Sequence, residues 1–298
     1  MIIDSHAHYA HARYGAQIPY LCEKNGGWEV LCGDREALLA QMKEKGIIGV
    51  IEPSIGFDAI ETQRQVVAQH PACMWAAIGV HPTRCVHTAW QKRKALDRYV
   101  QYGDVVAIGE TGLDYHHPRR QQYRLRQKRW FIYQLKLAGR AALPLVLHIR
   151  AADKPALNIL KKHRNRLHGG VVHCFTGDRR LAEQYIALGL ALGIGGKLLC
   201  DDESGCVLRD TVKHVPLDSI LVETDAPYVL PDISDLSCHG NQRKKLCNSS
   251  LILPAVIRKI AELRGEAYEP VEQAVFENTV RVFRLRVAGG DASELAGR

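Results

Sequence analysis

The 298-residue sequence has no apolar run that approaches the ~20 residues of a membrane-spanning helix. Its first residues, Met1–Asp4, lack the basic stretch that opens a secretory signal peptide. The nine cysteines are odd in number, and no two have the Cys-x-x-Cys spacing of zinc or redox motifs. Low-complexity tracts and sequence repeats are also absent. These absences favour reduced thiols in a cytoplasmic protein, with no membrane partner.

Charge is unevenly distributed between the two signs. Lys and Arg number 40 against 32 Asp and Glu, which gives a net charge of +8 and a pI of about 9.0. An excess of positive charge favours an anionic partner, and nucleic acid is the commonest one. Hydrophobic residues make up 46% of the chain, enough for a real core.

Short apolar segments alternate with longer amphipathic ones along the chain. Strands are predicted at 2–8, 47–53, 74–80, 105–108, 145–149, 171–175, 190–194 and 220–223. Helices are predicted at 35–45, 59–69, 90–100, 119–142, 154–163, 181–188, 207–214, 255–263 and 270–283. Eight strand–helix repeats in this length predict an α/β fold, a TIM-type (β/α)8 barrel with C-terminal helices. We expect a single hydrolase domain at 1–286 and a disordered tail at 287–298.

Two long connections interrupt this alternation, one at 9–34 and one at 228–247. Both follow strands, so in a barrel they lie at the C-terminal face, where active sites are found. The first contains Tyr14, Tyr20 and Trp28, which either stack on nucleic acid bases or pack the loop onto the barrel. Both readings stay open at this point.

Histidines and carboxylates stand in pairs at the ends of two predicted strands. Residues two apart on a strand share a face, so His6 and His8 are expected to point into the barrel together. The same rule places Glu223 and Asp225 side by side. Two adjacent carboxylates repel each other unless a cation or a proton lies between them.

Four further predicted strands also end in such residues, namely His81, Glu110, His148 and His173. In a barrel, all six strand ends converge on one rim. Imidazole and carboxylate ligands without thiolate suit Zn²⁺, Mn²⁺ or Mg²⁺. Cys174, next to His173, is expected on the opposite face and is assigned to packing. The set of candidates indicates two divalent metal ions that share a bridging carboxylate.

Six stretches occur in the order and spacing of a known family: 4–8, 79–82, 109–115, 144–150, 173–177 and 223–227. In these stretches the chain resembles the TatD-type metal-dependent deoxyribonucleases of the amidohydrolase superfamily. The resemblance implies two ion sites, with these ligands: His6, His8 and Asp225 for the first, His148 and His173 for the second, and Glu110 between them. It also implies that His81 and Glu223 line the site.

The function implied by the resemblance is phosphodiester hydrolysis by a metal-activated water, in a DNase that degrades single-stranded or frayed DNA from an end. Asp225 is the expected acceptor of the water's proton, and Glu223 orients the site or protonates the leaving group. Positively charged side chains are expected to neutralise the phosphates of a DNA partner. These are Arg150, Lys197, Arg243, Lys244 and Lys245.

The sequence departs from the family's pattern at several positions. The connection after His8 is longer than expected, and Ser250 stands where a proline is usual. Two alternatives stay open. One is a metal-dependent deacylase or esterase that acts on aminoacyl-tRNA or a small molecule, and the other is a non-catalytic nucleic-acid-binding component.

Overall fold

The computed structural model of the protein describes residues 1–116, 122–234, 236 and 245–287. The strands within these residues are β1 (Ile2–Asp4), β2 (Ile18–Lys24), β3 (Gly27–Gly33), β4 (Ile47–Pro53), β5 (Met74–Ile78), β6 (Val105–Asp114), β7 (Leu145–Arg150), β8 (Gly170–Val172), β9 (Ala191–Ile194) and β10 (Ile220–Val222). The α-helices are α1 (Arg35–Glu44), α2 (Ile60–Gln69), α3 (Arg93–Tyr99), α4 (Arg124–Ala141), α5 (Asp153–Lys162), α6 (Arg179–Ile186), α7 (Glu203–His214), α8 (Leu253–Arg264) and α9 (Tyr268–Phe283).

Eight of these strands form a parallel sheet in the order β1-β4-β5-β6-β7-β8-β9-β10. The sheet closes between the segments that follow its first and last strands. There the Ser5 amide donates to the Val222 carbonyl at 3.0 Å, and the Asp225 amide donates to the His6 carbonyl at 2.8 Å. The predicted TIM-type barrel is therefore confirmed, and the ends of the first and last strands are brought together.

The interior of the barrel is filled by one apolar side chain from each of the eight strands. These residues are Ile3, Ile51, Ala77, Ala107, Val146, Val171, Ala191 and Leu221. Phe276 and Phe283 of α9 pack against the same cluster. A barrel interior filled in this way is a core rather than a pore, and chemistry is confined to the opposite, C-terminal face.

Several strands end earlier than the sequence indicates. β1 ends at Asp4 rather than at residue 8, and β10 ends at Val222. Asp225 has a φ of 54°, in the left-handed region, so the alternation rule does not govern its direction. His6, His8 and Asp225 therefore lie in segments that leave the sheet and bend across the end of the barrel.

The predicted loop at 9–34 contains an antiparallel hairpin, β2–β3, paired from Ile18↔Gly33 to Lys24↔Gly27. Its turn is Asn25-Gly26, with φ values of 52° and 83°. An Asn-Gly pair between strand-forming residues is a strong hairpin signal, and it was present in the sequence. The hairpin within this connection was not predicted from the sequence.

The remaining expectations concern the cysteines, membrane-spanning helices and the predicted boundaries. The described cysteines are all free. Within the described part of the chain, no helix is both long and apolar enough to cross a membrane. The predicted start of the long helix at Arg119 and the tail from residue 288 onward lie outside the described residues. The single-domain boundary at 286 stays a prediction.

Candidate active site

Five of the predicted metal ligands and their bridging carboxylate meet at the C-terminal end of the barrel. One cluster is formed by His6, His8 and Asp225. The Nε2 atoms of His6 and His8 lie 3.3 Å apart, and Asp225 Oδ1 lies 3.5 Å from the first and 3.3 Å from the second. His8 Nδ1 lies 3.2 Å from the Pro53 carbonyl, which fixes the direction of its ring.

The second cluster is formed by His148 and His173, which stand at the ends of neighbouring strands. His148 Nδ1 and His173 Nε2 lie 3.1 Å apart, and each lies 2.8 Å from Glu110 Oε1. His81 Nε2 approaches the same oxygen at 3.4 Å. Its Nδ1 lies 2.7 Å from Thr83 Oγ1, so the ring is held from behind.

Glu110 lies between the two clusters, and one of its carboxylate oxygens faces each cluster. Oε1 faces His148 and His173, whereas Oε2 lies 3.8 Å from His6 Nε2 and 3.9 Å from His8 Nε2. The side chain is buried in the middle of the site. Glu110 therefore has the position of a bridging group.

The charges within the site are strongly coupled. Burial by itself lowers the pKa of His8, but Asp225 and Glu110 raise it to about 9. For His6, burial and the adjacent His173 both lower the pKa. Burial acts to raise the pKa of Glu110, yet the surrounding histidines hold it well below its usual range. Without a cation, protons on the histidines must balance these carboxylates.

The donor set fits divalent cations. Three overlapping groups of side chains could each hold an ion, because within each group the ligand atoms lie within 4.8 Å of one another. The groups are His6, Glu110 and His173; His6, His8 and Asp225; and His81, Glu110 and His148. All donors are imidazole nitrogens or carboxylate oxygens, which suit Zn²⁺, Mn²⁺ and Mg²⁺. Facing imidazole nitrogens 3.3 Å apart require a proton or a cation between them.

A cavity of about 550 Å³ opens beside the second cluster. Its lining includes His148, His173 and Asp225, together with two of the predicted phosphate-binding residues, Arg150 and Lys197. Arg150 ends β7, and the ammonium of Lys197 is paired with Asp202. The cavity therefore joins the histidine–carboxylate site to positive charge.

Comparison with known proteins places this geometry in a family. The family model described as TatD related DNase matches residues 3–284. The chain belongs to this family. A protein of Pectobacterium carotovorum named 3′-5′ ssDNA/RNA exonuclease TatD is 39% identical over 258 residues, which cover 85% of this chain and 94% of that protein. Its namesake from Erwinia billingiae is 35% identical, with the same coverage.

Solved structures agree with this assignment. The TatD homologue YjjV of Escherichia coli superposes with a TM-score of 0.80 at 28% identity, over 96% of this chain and 98% of that one. A TatD family hydrolase of Entamoeba histolytica, at 19% identity and a TM-score of 0.73 over 94% and 97% of the two chains, shares the fold. As a member of the TatD-related nucleases, the chain is a hydrolase that acts on phosphodiester bonds.

Glu223 lies behind the second cluster rather than in the cavity. Its buried carboxylate accepts a hydrogen bond from the Cys174 amide, and Oε1 lies 3.7 Å from His173 Nδ1. Burial raises the pKa of this group. The sequence suggested that Glu223 either orients the site or protonates the leaving group. Its position behind His173 favours the orienting role.

Two carboxylates of the TatD-type site had no role in the sequence-based prediction. Asp114 Oδ2 lies 3.4 Å from His148 Nε2, and Asp4 Oδ1 accepts from the His6 amide at 3.0 Å. Burial alone would raise the pKa of Asp114, but the hydrogen bond with His148 lowers it to about 2. Asp114 lies on β6 at an even spacing from Glu110, so the alternation rule could have found it.

One expectation about an individual residue was wrong. Cys174 lines the cavity instead of packing on the opposite face, because β8 ends at Val172 and Cys174 has a φ of 49°. For Tyr14 and Tyr20, two interpretations were open, and their complete burial favours packing of this connection onto the barrel over stacking on bases.

The remaining candidates lie elsewhere. Trp28 is partly buried on the hairpin and packs against the core. Lys245 is exposed but is not part of the cavity beside the histidines. Arg243 and Lys244 lie outside the described residues.

Proposed function

We propose that this protein removes nucleotides from the 3′ end of single-stranded DNA or RNA, using two divalent cations. The ligands proposed for the cations are His6, His8 and Asp225 at one position and His148 and His173 at the other, with Glu110 between them. The relatives named as 3′-5′ ssDNA/RNA exonucleases support the choice of substrate and polarity. DNA is the substrate expected from the sequence, and RNA is included because of those names.

One observation carries the proposal, namely the division of Glu110 between the two clusters. Its oxygens lie 2.8 Å from the nitrogens of one histidine pair and 3.8–3.9 Å from those of the other. A carboxylate that serves two neighbouring positions is typical of two-metal phosphoesterases. When bound, the cations supply Lewis-acid polarisation of water and of the phosphate.

The protein's own groups then have distinct tasks. Asp225 Oδ1 is the proposed acceptor of the proton from the attacking water, because its side chain lines the cavity beside both His6 and His8. Glu223 holds the orientation of His173. His81 lines the site and supports Glu110, and burial keeps its pKa below the usual range, so the ring is neutral there.

Arg150 and Lys197 are the proposed contacts to phosphate groups in the cavity. Lys197 is already paired with Asp202, so its charge is partly neutralised. Arg150 forms no ion pair with a carboxylate among the described residues and is therefore the stronger candidate. Contacts of this kind do not depend on base sequence and weaken as salt increases.

The test is digestion of 5′-labelled single-stranded DNA and RNA by the purified protein with Mn²⁺ or Mg²⁺, with and without EDTA. Products that shorten one nucleotide at a time from the 3′ end are expected, and EDTA should abolish them. Asp225→Asn should lower kcat by about 100-fold or more, the usual contribution of a general base. Asp201→Asn is the matched control, because its side chain is exposed and forms an ion pair with Arg209.

Cleavage that persists in EDTA after dialysis would refute the metal-dependent mechanism. Protein that binds Mn²⁺ but cuts neither strand would refute the nuclease proposal and favour an ester substrate. Circular dichroism and the melting temperature of Asp225→Asn show whether any loss of activity comes from the site rather than from unfolding.

A further inference from the structure

Tyr228 is an exposed aromatic residue at the rim of the proposed active site. Tyr228 is 43% exposed, whereas Tyr14 and Tyr20 in the connection between β1 and α1 are completely buried. The Tyr228 ring centroid lies 6.0 Å from that of His8 and 6.2 Å from that of His11. An aromatic ring thus borders the first histidine cluster.

The backbone holds Tyr228 in a defined position. Its amide donates to the Asp225 carbonyl at 2.8 Å, which closes a tight turn between the proposed base and the ring. Asn248 supports this turn, because its Nδ2 donates to the carbonyls of Thr224 at 2.9 Å and Val229 at 3.0 Å. A platform that is fixed before binding loses little conformational entropy when a ligand stacks on it.

Charges of both signs act on the Tyr228 hydroxyl. Burial and then Asp225 raise the pKa of the Tyr228 hydroxyl, while the nearby charges of Arg13 and Arg84 act to lower it. Both arginines are exposed, and neither forms an ion pair with a carboxylate in the part of the chain that the structure describes. Arg64 and Arg140, which lie away from the site, are each paired with an aspartate.

An exposed aromatic ring at the edge of a site that cleaves phosphodiester bonds is suited to stacking on an unpaired base. We propose that Tyr228 is the stacking platform for an unpaired nucleobase next to the scissile phosphate. A paired base keeps its stacking partners within the duplex, so this contact requires a single-stranded or frayed end. The inference rests on the proposed nuclease function and names the residue that selects the unpaired strand.

The test compares the activity of two proteins on two substrates. Wild type and Tyr228→Ala are each assayed with Mn²⁺ on a 5′-labelled DNA strand whose last two nucleotides are either normal or abasic. Loss of one stacked base costs about 1–3 kcal/mol, or about 5- to 140-fold in kcat/KM. We expect Tyr228→Ala to lower kcat/KM by this factor on the normal strand and wild type to lose a similar factor on the abasic strand.

The decisive measurement is the ratio of the variant's cleavage rates on the normal and the abasic strand. Tyr228→Ala should cut normal and abasic strands at nearly the same rate, and Tyr228→Trp should restore preference for the normal strand. Tyr102→Ala is the matched control, since Tyr102 is 46% exposed but stacks with Arg64 at 3.6 Å, away from the site. It should behave as wild type.

The inference would be overturned if Tyr228→Ala lowered kcat/KM by the same factor on both strands. The residue would then support the site without contacting the base. No loss on either strand would overturn it as well. Both outcomes leave the nuclease proposal intact. Failure of wild type to cut the normal strand would instead refute the proposed function, and this inference with it.

Discussion

Ser250 Oγ donates a 2.6 Å hydrogen bond to Asp4 Oδ2, so the segment before α8 is tied to the end of the first strand. Asp4 in turn accepts from the amide of His6 and from Thr224 Oγ1. Ser250 is thus part of a buried network beneath the first histidine cluster. Burial raises the pKa of Asp4 to about 7, and these hydrogen bonds act against that rise.

Removal of this hydroxyl should weaken the whole network. Ser250→Ala removes a hydrogen-bond donor from Asp4. It also removes the Ser250 hydroxyl that lies 2.7 Å from the Tyr9 hydroxyl. We expect the free energy of unfolding to fall by about 1–3 kcal/mol, the cost of unsatisfied buried polar groups. Urea denaturation measures it, with exposed Ser234→Ala as the control. Equal stability of the two variants would show that the network contributes little.

Asp114 should control the second cluster through His148. Its Oδ2 lies 3.4 Å from His148 Nε2, on the side of the ring away from Glu110. Loss of such a supporting carboxylate usually costs about 10- to 100-fold in metal affinity or activity. We expect this loss in Asp114→Asn, measured by Mn²⁺ titration and by strand digestion. Asp97→Asn, at an exposed ion pair with Arg140, should match wild type. A wild-type Mn²⁺ affinity in Asp114→Asn would rule out the supporting role.

Gly193 makes room for Glu223. A Cβ atom at this position would lie 2.1 Å from Glu223 Oε2 and 3.1 Å from the Cα of His173. Because Glu223 is buried, it cannot move aside without leaving His173. Gly193→Ala should therefore lower nuclease activity by about 10- to 100-fold. Gly103→Ala, where nothing lies within 4 Å of the added atom, is the control. Activity retained in full by Gly193→Ala would mean that the position of Glu223 has no catalytic effect.

Glu52 should make the stability of the metal-free protein depend on pH. Its buried carboxylate accepts from the Tyr9 amide at 2.6 Å, and burial raises its pKa from 4.5 to about 7. The folded state therefore holds a proton that the unfolded state releases. The stabilisation is complete below pH 4.5 and is lost as the pH rises through 7.

The matched variant is Glu52→Gln, which keeps the hydrogen-bond acceptor and lacks the titration. Between pH 4.5 and 7.5, the free energy of unfolding of wild type should fall by about 3 kcal/mol relative to the variant. Urea denaturation in EDTA at several pH values measures the difference. A constant difference across this range would mean that Glu52 titrates normally in the folded protein.

Much of the fold and of the site could be predicted from the sequence, because both follow from local patterns. Apolar strands alternating with helices predicted the barrel, and a histidine or carboxylate at six strand ends predicted the residues that meet at its rim. The Asn25-Gly26 turn and the spacing of Asp114 from Glu110 were also readable, although neither was used.

Other features depend on contacts between segments that are far apart in the chain. The direction of Asp225 comes from a left-handed backbone conformation, which the alternation rule does not describe. Tyr14, Tyr20 and Tyr228 are the same residue type in long connections, yet only Tyr228 is exposed beside the site. Exposure is set by what packs on a residue, so composition cannot give it.

The sequence by itself determined the strand–helix alternation and the chemical identity of the donors, since hydrophobic period and residue type are local properties. Only the tertiary structure decided that Glu110 shows one oxygen to each cluster and that Asp4, Asp114 and Glu223 stand behind the histidines. Those relationships arise when barrel closure brings the ends of the first and last strands together, and no stretch of sequence contains them.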